Sequence, residues 1–180
     1  RNPASLGEIN GKRFSLGLWI GGTATPNSIK NALREVDMFR DGDVKGNPLV
    51  LTDCPWCRAE IGKFKRGRNT YLKGIIKDTE QGPLLVCPDA SCEFGREDLN
   101  FSIPVEVIDE RIYSNPPTIV ISTADKLALL AYKPEAGSLF GREFNNGEVR
   151  QLSKPPGLII QDELHLISGP LGTMLSLIHI

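Results

Sequence analysis

An apolar run that ends in an acidic pair and a histidine is the stretch of this sequence with the clearest chemical signature. Residues 158–165 read LIIQDELH. Nucleoside-triphosphate hydrolysis needs one carboxylate for the magnesium shell and a second group that orients or deprotonates the attacking water. The pattern therefore predicts that Asp162 holds the magnesium of Mg-ATP and that Glu163 is the base. His165 would lie within reach of a neighbouring motif that senses the phosphates.

A second acidic pair, Asp109-Glu110, ends another strand-like stretch, 105–110, which reads VEVIDE. Its polar and apolar residues alternate, which predicts a half-exposed strand, and no histidine follows. Because a site of this kind requires a buried parallel strand, the fully apolar approach favours Asp162-Glu163. For either pair, the simplest alternative is a strand that ends in solvated charges.

A second set of groups that would bind the nucleotide phosphates, opposite the acidic pair, is missing from these 180 residues. The sequence contains no G-x-x-x-x-G-K-[ST] phosphate loop, whose backbone N–H groups and lysine cradle a nucleotide. Either the loop lies upstream of Arg1 or the site is degenerate. We expect no ATP hydrolysis by this chain alone.

The four cysteines form two short-spaced pairs separated by a long loop. Two such pairs can supply four thiolates in a tetrahedron, as in a zinc ribbon. The alternatives are two disulfides or four unrelated buried thiols. We expect a structural zinc ion, which has no open coordination position and so does not activate water. The predicted ligands are Cys54, Cys57, Cys87 and Cys92.

Residues 63–68, between the cysteine pairs, carry four cations and one aromatic residue. Contacts to nucleic-acid phosphates need charge but no particular sequence. We therefore expect Lys65, Arg66 and Arg68 to touch a nucleic-acid backbone. A solvated basic hairpin is an equally good interpretation.

Strands and helices alternate along the chain, in the manner of an α/β fold with a parallel sheet. Apolar runs too short for helices predict strands at 14–20, 103–108, 118–122 and near 158–160. A cap at Thr25 followed by Pro26 predicts the start of a helix, and the helical spacing of its apolar residues predicts that it lays one face on a sheet. The polar residues 135–153 are expected to form a loop or lid.

Two junctions between these elements can approach a phosphate backbone. Gly21, Gly22 and Thr23 follow the first strand, and glycine lets the backbone approach a ligand closely. Thr123, with Asp125 and Lys126, stands at a strand-to-helix junction, and helix amino termini attract phosphate. Each signal is weak alone, so their order along the chain matters more than either one.

Bulk composition adds few constraints. The net charge of −1 means that any nucleic-acid surface must be local.

No apolar run is long enough to span a bilayer, and the amino terminus is not a signal peptide, so we expect a cytoplasmic location without membrane contact. The chain reads as an internal fragment of a larger protein, and residues 175–180 resemble a translated adapter.

The ordered motifs resemble the first RecA-like domain of superfamily 2 helicases. A closer resemblance is to the helicase subunits of DISARM anti-phage systems and their relatives. It runs through residues 18–27, the cysteine insert, 116–128 and 161–172. Gln161 stands where a further apolar residue would be usual, and the resemblance implies that a glutamine at this position is a feature of the subfamily. The resemblance also implies a partial RecA-like parallel sheet flanked by helices, with a small β-rich zinc-ribbon insertion. The expected boundaries are 1–48 and 103–174 for the RecA-like domain and 49–102 for the insert. Residues 175–180 are expected to be a non-native, adapter-derived tail, with an ordinary apolar helix as the alternative.

The same resemblance implies an ATP-dependent DNA helicase or translocase with Zn²⁺, Mg²⁺ and ATP. Its partners would be DNA, the missing remainder of the helicase and other defence subunits. An alternative of another class is a zinc-ribbon nucleic-acid-binding or scaffold module on a catalytically degenerate RecA-like domain. A metalloenzyme built on Glu163 and His165 is disfavoured, because one histidine without a spare cysteine makes a poor catalytic metal site.

Overall fold

Short strands and helices alternate in the part of the chain that the computed structural model describes, which is residues 13–22, 24–44, 46–95, 102–145 and 147–161. In chain order the elements are β1 (Leu16–Trp19), α1 (Ile29–Asp41), β2 (Gly62–Arg66), β3 (Asn69–Lys73), β4 (Ile75–Asp78), β5 (Gly82–Leu85), β6 (Val105–Glu106), α2 (Asp109–Ser114), β7 (Ile119–Ser122), α3 (Ala124–Ala128), β8 (Arg142–Asn145) and β9 (Glu148–Gln151). Two 3-10 helices, Leu129–Ala131 and Pro134–Phe140, follow α3. The predictions for Thr23, Asp162, Glu163 and His165 lie outside the described residues.

A three-stranded parallel sheet has β1 at its centre, between β6 and β7. The expected strand at 118–122 is confirmed as β7, which pairs with the whole of β1. The strand expected at 103–108 is reduced to the two residues of β6. It ends there because the Glu106 side chain accepts hydrogen bonds from the Val107 and Ile108 N–H groups, at 3.1 and 3.4 Å. The α/β class with a parallel sheet is therefore confirmed for the described residues.

Helix α1 begins three residues later than the Thr25-Pro26 signal predicts. Ser28 is its N-cap, and its hydroxyl accepts a hydrogen bond from the Asn31 N–H at 3.2 Å. Thr25 is buried instead, and its hydroxyl donates to the Ile20 carbonyl at 3.2 Å. Thr25 therefore holds the turn after β1 in place, and the serine, the better cap residue, starts the helix.

The apolar face of α1 packs against β5 and β3 of the cysteine-bearing insert. The face therefore lies on a sheet, as expected, and the strands it packs on belong to the antiparallel β2–β3 and β4–β5 hairpins. One core cluster combines Ala32, Val36 and Phe39 of the helix with Ile61 and Ile75 of the insert. The helical spacing predicted an apolar face but not its partner, and the nearest apolar surface belongs to the hairpins that follow the helix. The insert thus shares its core with the α/β part.

The buried strand expected at residues 158–160 is absent from this structure. Leu158, Ile159 and Ile160 are 76%, 52% and 82% exposed, and no described strand pairs with them. A buried parallel strand needs a neighbour along its edge and cover on both faces. The described residues supply neither beside this segment. The polar stretch expected to be a loop or lid forms a 3-10 helix and the β8–β9 hairpin.

Candidate metal centre and nucleic-acid surfaces

Each cysteine pair lies in a tight turn closed by backbone hydrogen bonds. In the first, the Arg58 N–H donates to the Cys54 carbonyl at 2.9 Å, and Arg58 adopts a left-handed conformation with φ of 66°. In the second, the Cys92 N–H donates to the Asp89 carbonyl at 3.0 Å. A Cβ on Gly95 would lie 1.8 Å from the Asp89 carbonyl oxygen, so only glycine fits there. Both turns therefore present their sulfurs from a defined backbone.

The four sulfur atoms lie within 4.8 Å of one another. Cys54 Sγ is 3.9 Å from Cys92 Sγ, and Cys57 Sγ is 3.3 Å from Cys87 Sγ. A disulfide requires about 2.05 Å, whereas four thiolates around zinc at about 2.3 Å stand about 3.8 Å apart. The prediction that the two pairs come together is confirmed, and the arrangement fits a tetrahedral metal ion.

Backbone donors surround these sulfurs. Burial disfavours the thiolate of Cys54, but hydrogen bonds from the N–H groups of Cys57 and Trp56, together with those from the neighbouring thiols, lower the pKa of Cys54. Burial raises the pKa of Cys87, although the Asp89 N–H donates to its sulfur at 3.4 Å. Such N–H donors stabilise a metal-bound thiolate, because they offset its negative charge. Three of the sulfurs are buried and Cys57 is exposed.

An aromatic contact joins the two turns. The ring of Trp56, from the first turn, meets the ring of Phe94, beside the second, edge to face with centroids 6.3 Å apart. The guanidinium of Arg13 lies 5.4 Å from the centroid of the Phe94 ring. These contacts bring the segment before β1 to the metal centre and hold the turns at their mutual distance.

The basic run lies on the β2–β3 hairpin, and the structure divides its cations between two faces. The Lys63 ammonium donates to the Phe39 carbonyl at 3.3 Å, near the end of α1, so this lysine attaches the hairpin to the helix. Lys65, Arg66 and Arg68 are exposed, as their proposed phosphate contacts require. Lys65 lies on the same face as Lys63, because neighbouring residues of a strand alternate.

The two motifs predicted to contact phosphates lie at one edge of the sheet. Trp19, the last residue of β1, pairs in parallel register with Ser122, the last residue of β7. The segments that follow, Gly21-Gly22 and Thr123, therefore leave adjacent strands at the same edge. Gly22, Thr123 and Asp125 are exposed there. A Cβ on Gly22 would lie only 3.0 Å from the Asn27 amide nitrogen, so this turn packs closely on the start of the α1 segment.

Lys126 does not share that exposed edge, which corrects its expected role as a phosphate contact. It is 4% exposed, and its ammonium forms an ion pair with the Asp109 carboxylate, which is fully buried. The Tyr113 hydroxyl donates to the same carboxylate oxygen at 3.4 Å and accepts from Trp19 Nε1 at 2.9 Å. The positive charge of Lys126 compensates the buried Asp109 carboxylate, which would destabilise the fold if it were left unpaired.

The rival acidic pair is likewise engaged in holding the fold. Asp109 opens α2 and is buried against Lys126, while the Glu110 carboxylate accepts a hydrogen bond from the Ile29 N–H at 2.9 Å, in the first turn of α1. Both carboxylates therefore join elements of the fold. Asp162 and Glu163 lie outside the described residues, so the preference for that pair as the nucleotide site stays a prediction.

Sequence reasoning missed the buried network around Asp109 and the exposed residues Tyr71 and Lys73 of β3. No sequence signal marks the network, because its members are distant along the chain. The strand-like run that begins at Tyr71 was visible in the sequence, and Lys73 within it continues the positive charge of residues 63–68, so both residues could have been singled out.

Fold and site together define a mixed α/β protein with a four-cysteine candidate metal centre inserted between α1 and β6. No family model matches the chain. The chain is similar to the DISARM protein DrmA of Bacillus paralicheniformis, with 34% identity over an alignment 191 positions long that covers 89% of this chain and 16% of that protein. It is thus DISARM-related in sequence and spans less than a fifth of this relative. Among the described residues, no helix has the length and apolar character needed to cross a membrane.

Proposed function

We propose that the chain is part of an ATP-dependent helicase or translocase that acts on nucleic acid, DNA in particular, in bacterial anti-phage defence. The observation that carries the proposal is the shared sheet edge, where Gly21-Gly22 and Thr123 follow adjacent parallel strands. Two exposed backbone turns side by side can follow a sugar–phosphate chain, whose recognition requires no base contacts. The similarity to a DISARM protein supports the defence setting.

In this proposal the four cysteines hold a structural Zn²⁺ ion. Their sulfur spacing and the backbone donors around them support the assignment. Bound zinc would tie the two turns together and, through the shared core, stabilise the insert against α1. Because four protein thiolates complete its coordination, the ion takes no part in hydrolysis.

ATP hydrolysis belongs, in this proposal, to a protein that carries this chain together with a phosphate loop. Asp162 would hold the magnesium of the nucleotide, Glu163 would be the base, and His165 would couple the site to a neighbouring motif. The engagement of Asp109 and Glu110 elsewhere supports this choice of acidic pair.

The base assignment is tested by Glu163→Gln in that protein, with Glu143→Gln on the exposed β8–β9 hairpin as the matched control. Glu163→Gln should abolish ATP hydrolysis and retain nucleotide binding, because the amide keeps the shape of the side chain but not its basicity. The control should hydrolyse ATP normally. Unchanged hydrolysis by Glu163→Gln would contradict the assignment.

The proposed DNA edge is tested by Thr123→Glu, with Thr79→Glu in the β4–β5 turn as the control. Both threonines are exposed, so neither change is expected to disturb the core. A carboxylate beside a phosphate repels it, so Thr123→Glu should weaken DNA binding severalfold and Thr79→Glu should not. Equal affinities would contradict the edge. DNA binding without any ATP hydrolysis in the unaltered protein would favour the zinc-ribbon binding or scaffold module on a degenerate RecA-like domain.

A further inference from the structure

Two aromatic side chains stand directly opposite each other on the outer face of the β2–β3 hairpin. Phe64 pairs with Tyr71 in the antiparallel register, so both rings project from the same face. They are 50% and 48% exposed. Burial of such rings is favourable, so a pair left half in water on a short hairpin offers a surface for a flat apolar ligand.

Cations flank the two rings on that face. Arg66 lies two residues beyond Phe64, and Lys73 lies two residues beyond Tyr71, so alternation places both beside the rings. Both are exposed. The Asn69 side-chain amide donates to the Tyr71 hydroxyl at 3.2 Å and orients the phenol ring. We call Phe64, Arg66, Asn69, Tyr71 and Lys73 the stacking face.

The charge of the hairpin is strongly one-sided. Residues 62–73 contain five cations and no acidic residue, although the chain as a whole has a net charge of −1. The inner face anchors the hairpin, because Leu72 packs against the core and Lys63 bonds to the end of α1. Because the inner face is packed against the protein, the outer face is held in a fixed position. Its cations and aromatic rings are complementary to a polyanion that also has flat apolar groups.

We infer that the stacking face binds single-stranded nucleic acid, with unpaired bases stacked on Phe64 and Tyr71 and the adjoining phosphates held by Arg66 and Lys73. This inference rests on the proposed nucleic-acid function and adds a contact site apart from the Gly21-Gly22 edge. Stacking requires bases that have left a duplex, since paired bases hide their faces from protein side chains. Grooves that combine aromatic rings with cations bind single strands in this way without sequence preference.

The rings are tested by comparing oligo-dT with a strand of equal length that lacks the bases. The full chain should bind oligo-dT more tightly than the base-free strand. Phe64→Val combined with Tyr71→Val should weaken oligo-dT binding about tenfold or more, because a base stacked on an aromatic ring is lost at each position. Valine keeps the strand propensity of both positions. The matched control is Phe144→Val, on the exposed β8–β9 hairpin, and it should leave binding unchanged.

The cations are distinguished from the rings by salt dependence. Arg66→Ala combined with Lys73→Ala should reduce the slope of log affinity against log salt by about 1.4, since each single-strand phosphate contact contributes about 0.7. The valine variants should lower the affinity but keep the slope. Arg142→Ala combined with Arg150→Ala is the control for cations on a different exposed hairpin.

Equal affinity of the unaltered chain for oligo-dT and for the base-free strand would overturn the inference, as would unchanged binding by the valine variant. A valine variant that loses affinity for both strands equally would also overturn it. Equal zinc content and melting temperature in all variants show that the fold is retained. The proposed motor survives any of these results, because it is judged by ATP hydrolysis and by Thr123→Glu, outside the hairpin.

Discussion

Replacing Lys126 by methionine should destabilise this protein far more than removing a lysine from a surface ion pair. The Lys126 and Asp109 side chains are 5% and 0% exposed, and the Asp109 Oδ1 atom has no hydrogen-bond partner among the described residues. Methionine preserves the length of the lysine side chain but leaves the carboxylate buried without a counter-charge. The cost is therefore mainly that of an uncompensated buried charge.

The expected magnitude follows from this burial. Removing one member of a buried pair costs about 3–5 kcal/mol, and each kcal/mol lowers the melting temperature of a chain of this size by about 2–4 °C. Lys126→Met should therefore melt about 10 °C below the unaltered protein. The matched control is Lys77→Met, since Lys77 pairs with Asp37 at 2.7 Å with both side chains 37% exposed. That change should cost less than about 1 kcal/mol.

Urea unfolding followed by tryptophan fluorescence is a suitable assay, because the Lys126 ammonium lies 6.0 Å from the centroid of the Trp19 ring. Adding Asp109→Leu to Lys126→Met should recover much of the lost free energy of unfolding, since an apolar pair needs no counter-charge. Equal midpoints for Lys126→Met and Lys77→Met would refute the reasoning. If Lys126→Met also bound DNA more weakly at unchanged stability, Lys126 would return to its expected role as a phosphate contact.

Two further predictions concern the metal centre and Tyr113. Elemental analysis should find one zinc ion per chain, which Cys87→Ser should lose together with stability; metal-free protein with two disulfides by mass spectrometry would contradict zinc. Burial, followed by the nearby Asp109 carboxylate, raises the pKa of Tyr113 to about 12. Its stabilising contribution is therefore complete below pH about 10 and lost as the pH rises through about 12. Tyr113→Phe should remove that loss and the phenolate absorbance step near pH 12; an unchanged titration would contradict the shift.

The cysteine centre illustrates how far local spacing reaches. Two short-spaced pairs predicted four converging thiolates, and the sulfurs do converge. Backbone hydrogen bonds within each turn already hold the two sulfurs of a pair together, so a single approach of the two turns completes the cluster. The run of cations between the two pairs likewise indicated a basic hairpin. Spacing alone did not reveal which cations face outward, because that depends on the register of β2 against β3.

The acidic pairs show where spacing fails. Val105-Glu106 starts a stretch that reads as a strand through 108, but the Glu106 side chain takes the hydrogen bonds that a longer strand would use. Asp109 then reads as the end of a strand, although it opens a helix and is buried against a lysine 17 residues away. Side-chain competition for backbone donors and long-range charge pairing leave no periodic trace in a sequence.

The sequence by itself determined the α/β alternation and the adjacency of the cysteines, since each depends on residue types at short separations. The chemistry assigned to Asp162, Glu163 and His165 stays a prediction. Only the tertiary structure decided that α1 packs on the cysteine insert, that Lys126 is buried, and that Gly21-Gly22 and Thr123 share one sheet edge. It also decided that Phe64, Arg66, Tyr71 and Lys73 form one outward face. These are consequences of strand order and register, which arise from burying apolar surface between elements far apart along the chain.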